Sequence, residues 1–379
     1  MYISQIKLRN WKNFKDAEAA LGMRAFLIGP NASGKSNLLD ALRFLRDVAN
    51  DGLERAVGAR DGVSAIRCLA ATRYSNVDVE VTLNEGGNAL WRYRLSINQD
   101  NVQRPVVREE VVYTAMETAV LNRPDAEDER DPLRLTQTAL EQVSENQPFR
   151  EVAGFFKSIS YQHLLPQVVR DPRGFSPLPV QNDPYGRDFL LRLWRTPTKT
   201  RDSRLRKIAG ALRSAIPQLT ELQVERDGSA IPHLIGGYAH WRPHAARQNE
   251  SQFSDGTLRL LGLLWTVYEG SGPLLLEEPE ISLHPEIVRR LPTVFYRINR
   301  SRPEPRQLII STHSEDLLRD EGIAPDEVLR LEPGPDGTLL FPPDESDRRA
   351  MAAGLAAADV LMPRAAPEGI RQLPLQFEP

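Results

Sequence analysis

The alternation of apolar and polar residues divides the chain into three stretches. Residues 2–8 alternate as a half-buried strand does, and 9–14 read as a polar turn carrying Trp11 and Phe14, two aromatics expected to anchor a core. Residues 24–28 form a short apolar strand, and 37–48 read as a helix. Three alternating runs, 77–83, 90–97 and 106–113, predict an antiparallel meander, with Glu85-Gly86-Gly87 as its first turn.

Between about 117 and 250 the pattern loosens. Residues 123–131 are charged and contain Pro124, which predicts a loop or mobile connection. A strand-like run at 158–162 leads into Pro166, Pro172, Pro177, Pro179 and Pro184, a density that excludes a long helix there. Leu205, Ile208, Leu212 and Ile216 recur at helical spacing with Asp202 or Ser203 as a cap, and 219–226 with 231–241 read as a hairpin about Asp227-Gly228. The last third is denser: helix at 254–268, buried strand at 273–276, helix at 285–299, buried strand at 307–311. That alternation predicts parallel strands whose carboxyl ends line one crevice. Beyond Asp344 no motif is legible.

Composition narrows the classes. A chain of 379 residues with 41% hydrophobic content can bury a sizeable core, and 48 basic against 51 acidic residues leave a formal charge of −3. Any affinity for nucleic acid must therefore be local. One cysteine, Cys68, excludes an internal disulfide. With no signal peptide or long apolar run, a cytoplasmic protein without membrane association is expected.

The chemistry gathers at Gly29-Pro30-Asn31-Ala32-Ser33-Gly34-Lys35-Ser36, a complete G-x-x-x-x-G-K-[ST] match between a strand and a helix that continues with Asn37. The glycines let the backbone approach a phosphate chain, Lys35 supplies a point charge, and the Ser36 hydroxyl is a hard oxygen ligand for Mg2+. The expected ligand is a nucleoside triphosphate. Glu277 and Glu278 follow a buried strand, which suits one carboxylate to the metal and the next to orienting water. His313 ends the next strand, where it is placed to donate to a γ-phosphate. One segment departs from the average charge: 187–213 holds Arg201, Arg204, Arg206, Lys207 and Arg213 among nine basic residues against two acids. It reads either as a solvated helix face or as a surface for a phosphate backbone.

In this order the phosphate loop, Ser251-Gln252-Phe253-Ser254-Asp255-Gly256-Thr257, the Glu277-Glu278 pair, 281–285 and Ser311-Thr312-His313 resemble the ABC-type ATPases. The resemblance is closest to the branch of chromosome-maintenance proteins, RecF-like repair ATPases and OLD-family ATPases, and it covers 1–115 and 250–335. It implies an α/β fold: an ABC-ATPase head with a mixed sheet and phosphate-loop core, an antiparallel β subdomain and a mixed α/β insertion. The corresponding division is an N-terminal lobe 1–115, an insertion 116–250, a C-terminal lobe 251–341 and a tail 342–379.

The resemblance also implies ATP with Mg2+ in a head-to-tail homodimer. There Ser254 donates its hydroxyl and Gly256 its N–H to nucleotide held by the other copy, Asp255 lies between them, and 281–284 couple the two sites. A glutamine contacting metal or water would be Gln162, or else Gln167. Glu277 departs from the family's usual aspartate. The middle is too short and proline-rich for coiled-coil arms, and 66 residues follow His313 (379 minus 313), too few for an appended nuclease. The expected function is the ATPase subunit of a bacterial anti-phage defence system, gating a separately encoded effector such as a nuclease or toxin. The alternatives are a RecF-like ATPase acting on DNA and a transporter's nucleotide-binding subunit.

Overall fold

A computed structural model describes residues 1–71, 74–170, 183–239 and 246–365. Pro172, Pro177 and Pro179, the last residues of the expected 231–241 strand, and the tail beyond 365 lie outside the described residues. The chain forms two compact units, one of Met1–Ser160, Ser271–Leu275 and Arg306–Pro379, the other of Tyr161–Gly270 and Leu276–Pro305. Residues 116–160, placed with the insertion on sequence, belong to the first unit.

The first unit holds the meander. Strands β1 (Tyr2–Trp11), β2 (Phe14–Ala20), β4 (Val77–Glu85), β5 (Asn88–Gln99), β6 (Pro105–Thr114) and β7 (Ala119–Arg123) form an antiparallel sheet in the order β2-β1-β4-β5-β6-β7. The 9–14 turn is tighter than its polarity suggested. Strand β1 runs on to Trp11, which pairs with Phe14 across Lys12 and Asn13, and both rings are fully buried. As expected, the two aromatics are core anchors.

Its second sheet carries β3 (Arg24–Ile28) between β13 (Leu308–Ser311) and β14 (Val328–Gly334), parallel to both, with β15 (Gly337–Phe341) antiparallel at the edge. Strands β12 (Leu274–Glu277) and β8 (Ser160–Gln162) enter on the far side of β13, where Leu274 N donates to Gln307 O at 2.8 Å and Ser160 N to Pro273 O at 2.8 Å. Phe26, Leu27, Ile28, Ile309 and Ile310 are fully buried, the pattern of parallel strands covered on both faces. The helix Lys35–Asp51 packs Leu38, Leu42, Leu45 and Val48 inward and stops at Gly52, whose φ of 88° suits glycine.

Two expectations for this unit are corrected. The charged run 123–131 is not a loose connection: Asp125 caps the helix Ala126–Arg130 in a capping box with Asp128. Arg123 Nη2 donates to Asp128 Oδ1 at 2.7 Å and Nη1 to Glu110 Oε2 at 3.3 Å, all three buried. Asp128, which looks solvated in sequence, is here the partner of a buried guanidinium, while the other acids of the run are exposed. The tail, unreadable by pattern, contains helices Glu345–Ala352 and Ala357–Ala365.

The second unit combines helices Phe189–Arg195, Thr198–Leu212, Asp255–Tyr268, Pro285–Val288 and Leu291–Arg300 with a three-stranded sheet, β11 (Arg247–Asn249)-β10 (Pro232–Tyr238)-β9 (Leu219–Arg226). The 219–241 hairpin is present and its second strand ends at Tyr238. Helix Thr198–Leu212 buries Leu205, Ile208 and Leu212 as the spacing required, while Ile216 lies past its end. It starts after Pro197 rather than at Asp202 or Ser203, because a proline at φ −50° has no N–H to leave unpaired. The expected 285–299 helix is two helices, with Pro292 in the first turn of the second, where its missing N–H costs nothing. Among the described residues no helix is long and apolar enough to cross a membrane, and Cys68 is buried and free.

Candidate functional site

The phosphate loop lies in the first unit between β3 and the helix Lys35–Asp51. Three of its residues sit in left-handed backbone: Gly29 at φ 150°, Ala32 at 60° and Gly34 at 97°. Gly34 is the helix N-cap and, having no side chain, makes no capping hydrogen bond to the first turn. Lys35 is 6% exposed, and its ammonium folds back to donate to Gly29 O and Pro30 O at 2.9 Å each. Asn31, Ala32 and Ser36 are exposed, Asn37 is half-buried and Ser33 is buried.

Residues far apart in sequence brace this loop. Asn13 Nδ2 and Thr338 Oγ1 donate to Ser33 O at 3.3 and 2.9 Å, and Asn37 Nδ2 donates to Asn13 Oδ1 at 2.7 Å. A Cβ on Gly34 would stand 2.1 Å from Asn13 Nδ2, and one on Gly29 2.3 Å from Leu331 O. Both glycines are therefore demanded by conformation and by space. His313 is half-buried just past β13, and Thr312 N donates to Leu27 O at 3.0 Å. Because β13 and β3 are parallel, with Ser311 opposite Leu27, His313 and Gly29 each lie two residues beyond that pair at the same end of the sheet.

The second unit holds the paired acids. Glu277 ends β12; its carboxylate accepts the Tyr161 hydroxyl, and its carbonyl lies 3.3 Å from His163 Nδ1. Glu278 takes a left-handed φ of 43°, which for a glutamate is strained backbone. Arg259, from helix Asp255–Tyr268, secures that turn. Its Nη2 donates to Glu278 O and its Nη1 to Leu164 O, each at 2.8 Å, from a side chain 2% exposed. Burial pulls the Arg259 pKa down against the opposing pull of Glu280 and Glu278. Gln162 is 7% exposed, and its Oε1 accepts no hydrogen bond among the described residues. Such an orphaned acceptor costs about 1–3 kcal/mol, which a cation or a held water would offset.

At the start of helix Asp255–Tyr268, Ser254 is an exposed N-cap. Its Oγ accepts Thr257 N at 3.2 Å and shares a 2.8 Å bond with Thr257 Oγ1. Asp255 is held by Gln167 Nε2 at 3.0 Å and Arg170 Nη2 at 2.5 Å, which commits Gln167 to that aspartate. A Cβ on Gly256 would stand 2.8 Å from Ser282 O, so this glycine lets the helix start lie against the 281–284 loop of the same chain. In that loop Ile281 is exposed, Ser282 has φ 63°, and His284 caps the next helix.

The basic helix does not present one solvated face. Arg201 is 8% exposed and packs its guanidinium over Trp194, 5.2 Å from the ring centre. Arg204 is half-buried over Trp265 with its pKa lowered by burial, and Lys207 lies over Tyr268. Arg206 is exposed, and Arg213 Nη2 donates to Thr220 O at 2.6 Å. The expectation that all five face solvent is thus corrected for Arg201 and Arg204. Neighbouring tryptophans draw them in by cation–π attraction.

Asn13, Thr338, Tyr161, His163 and Arg259 were missed on sequence. Only Arg259 left a signal, as a lone arginine within the apolar run Leu258 to Leu264. Taken by itself, the first unit offers a helix N-terminus without a side-chain cap, a buried ammonium and an exposed hydroxyl, groups that suit a phosphate chain and a hard cation; the second, by itself, offers two strand-end carboxylates and an orphaned amide oxygen, which suit a hard cation or its water. Magnesium is usually held by one or two protein groups together with phosphates and water. Among the described residues, no cluster of three or more His, Cys, Asp or Glu that could hold a metal ion occurs.

Residues 24–320 match a family described as "AAA domain, putative AbiEii toxin, Type IV TA system". The DNA replication and repair protein RecF of Synechocystis sp. is 32% identical over 110 residues, and that of Trichodesmium erythraeum 28% over 111, each match covering 27% of either chain. The chain thus spans about a quarter of the length of the curated relatives it matches. Among solved structures, an Smc head bound to the C-winged helix domain of ScpA superposes with a TM-score of 0.59 at 14% identity, over 93% of this chain and 100% of that one. An Smc head with an extended coiled coil, bound to the C-terminal domain of ScpA derived from Pyrococcus furiosus, gives 0.52 at 11%, over 93% and 98%. The chain belongs to that AAA-domain family, and its fold is similar to that of the Smc heads.

Proposed function

We propose that the protein binds ATP with Mg2+ on 29–36, hydrolyses it, and uses the cycle to close two copies head-to-tail. The observation that carries this reading is the left-handed glycine entry to helix Lys35–Asp51, which has no side-chain cap, with Lys35 buried. There the helix N-terminus offers a triphosphate positive potential, and the Lys35 ammonium exchanges its bonds to Gly29 O and Pro30 O for the phosphate oxygens. Ser36 and Glu277 would hold the magnesium, with Gln162 as a further oxygen ligand to it or to its water. When bound, the metal supplies Lewis-acid polarisation of the phosphoryl oxygens. Glu278 orients the attacking water and takes its proton, and His313 donates a hydrogen bond to the terminal phosphate. Ser254 exchanges its bond to Thr257 for one to nucleotide on the second copy, with Asp255 and Gly256 beside it. Nucleotide binding and closure are then one event.

In this reading the output is a separately encoded effector such as a nuclease or toxin in an anti-phage defence system. The family description, which names a "putative AbiEii toxin" of a toxin–antitoxin system, is compatible with the defence role and is silent on a separate effector. A RecF-like role on DNA is the second reading, favoured by the named relatives and by exposed Arg206 and Lys207. Light scattering of Glu278→Gln with ATP tests the mechanism: the variant binds ATP and accumulates as a dimer. Only monomer at saturating ATP would sink the composite site.

A further inference from the structure

Helix Thr198–Leu212 and strand β9 enclose a groove of about 650 Å3. Five consecutive residues of the strand, 220–224, line it. Side chains on a strand alternate between faces, so a groove touching five in a row runs along the strand's edge. Strand β9 is the outer strand of its sheet, in the order β11-β10-β9. Thr220 O points outward, since it accepts Arg213 Nη2 at 2.6 Å. By the period of two, the main-chain N–H and C=O of Leu222 and Val224 point the same way, along the groove. The opposite wall is basic. Arg201, Arg206 and Arg213 line it against Asp202 and Glu221, and 198–213 as a whole carry six basic residues and one acid.

We propose that this groove receives an extended, acidic peptide segment of a partner protein, which adds a strand to β9 and sets its carboxylates against the arginine wall. An open edge offers donors and acceptors in alternation, a pattern that another peptide strand matches. A nucleic-acid backbone offers only phosphate acceptors and leaves the carbonyls of β9 unpaired. Five residues of strand span about 17 Å, and the volume lies within the usual range for a recognition site. The inference is independent of the nucleotide reading, because the groove lies wholly within the second unit and is tested without ATP.

The probe is a fluorescein-labelled ten-residue peptide alternating threonine and glutamate, added to the full chain and followed by anisotropy. A lysine-for-glutamate peptide and a single-stranded oligodeoxynucleotide serve as comparisons. The expected result is binding of the glutamate peptide at least about tenfold tighter than the lysine peptide, weakened about tenfold by Arg206→Glu and by rising salt. In the wild type the same peptide slows hydrogen exchange across 219–226, a readout that does not depend on the variant's folding. No binding of the glutamate peptide, equal binding of the two peptides, unchanged exchange at 219–226, or Arg206-dependent binding of the oligonucleotide alone overturns the proposal.

Discussion

Arg259 Nη2 reaches the main-chain oxygen of Glu278 at 2.8 Å, while its Nη1 holds Leu164 O at the same distance. One buried guanidinium thus fixes a strained turn that carries the proposed base, and it does so from the helix that begins at Ser254. A displacement of the order of 1 Å at a catalytic group costs about a hundredfold in rate. Arg259→Lys keeps the charge but presents one compact ammonium in place of a fork. The expected outcome is ATP affinity within about twofold of wild type and a kcat lowered roughly 10- to 100-fold, measured by fluorescent-ATP titration and phosphate release. Equal losses in binding and turnover would show that Arg259 only supports the fold.

Asn13 and Thr338 act on the other half of the chemistry. Both donate to Ser33 O, the carbonyl just before Gly34, from opposite ends of the chain. Replacing Thr338 by Val removes one donor at nearly constant volume and leaves Asn13 in place. ATP affinity should fall about 3- to 10-fold, the equivalent of one lost hydrogen bond. Thr338→Ser, which keeps the hydroxyl, should restore it in the same titration.

Much of this architecture is legible from pattern alone. The phosphate-loop strand 24–28, apolar after Arg24, and the strand before Glu277 are short and bounded by turn residues, and the structure places them within a residue or two of expectation. What failed to show has a common cause. The box at 123–131 depends on Arg123 meeting Glu110 from a strand thirteen residues earlier, and the loop brace on Asn13 meeting Thr338. Local propensity does not carry such pairings. The inward turn of Arg201 likewise depends on Trp194, which sits on a separate helix.

His233 makes stability depend on pH in a known direction. Burial opposes its charge, but Glu250 Oε1 at 2.6 Å from Nδ1 and Asp227 Oδ2 at 3.4 Å from Nε2 outweigh that, so its pKa is raised above 6.5. A raised folded-state pKa contributes stability that is fully present below the unfolded value and fades as pH rises through the folded one. Thermal melts of wild type against His233→Gln should therefore differ most below the unfolded value of about 6.5 and converge as pH rises through the raised folded one. A constant difference across that window would mean that the imidazole contributes packing and neutral hydrogen bonds but no proton linkage.

Gln162 separates stability from function with opposite signs. Its buried Oε1 lacks a hydrogen-bond partner among the described residues, so Gln162→Met, of similar length and without polar atoms, relieves a desolvated acceptor. The nucleotide-free protein should gain roughly 1 kcal/mol, seen as a higher denaturant midpoint at unchanged slope. If that oxygen serves the metal or its water, the same variant loses Mg2+-dependent ATP hydrolysis by about tenfold or more while still binding ATP. A variant that is stabilised and fully active would remove Gln162 from the site. One that is destabilised would show that the amide is satisfied in solution, and the orphaned oxygen would then no longer support a magnesium ligand at this position.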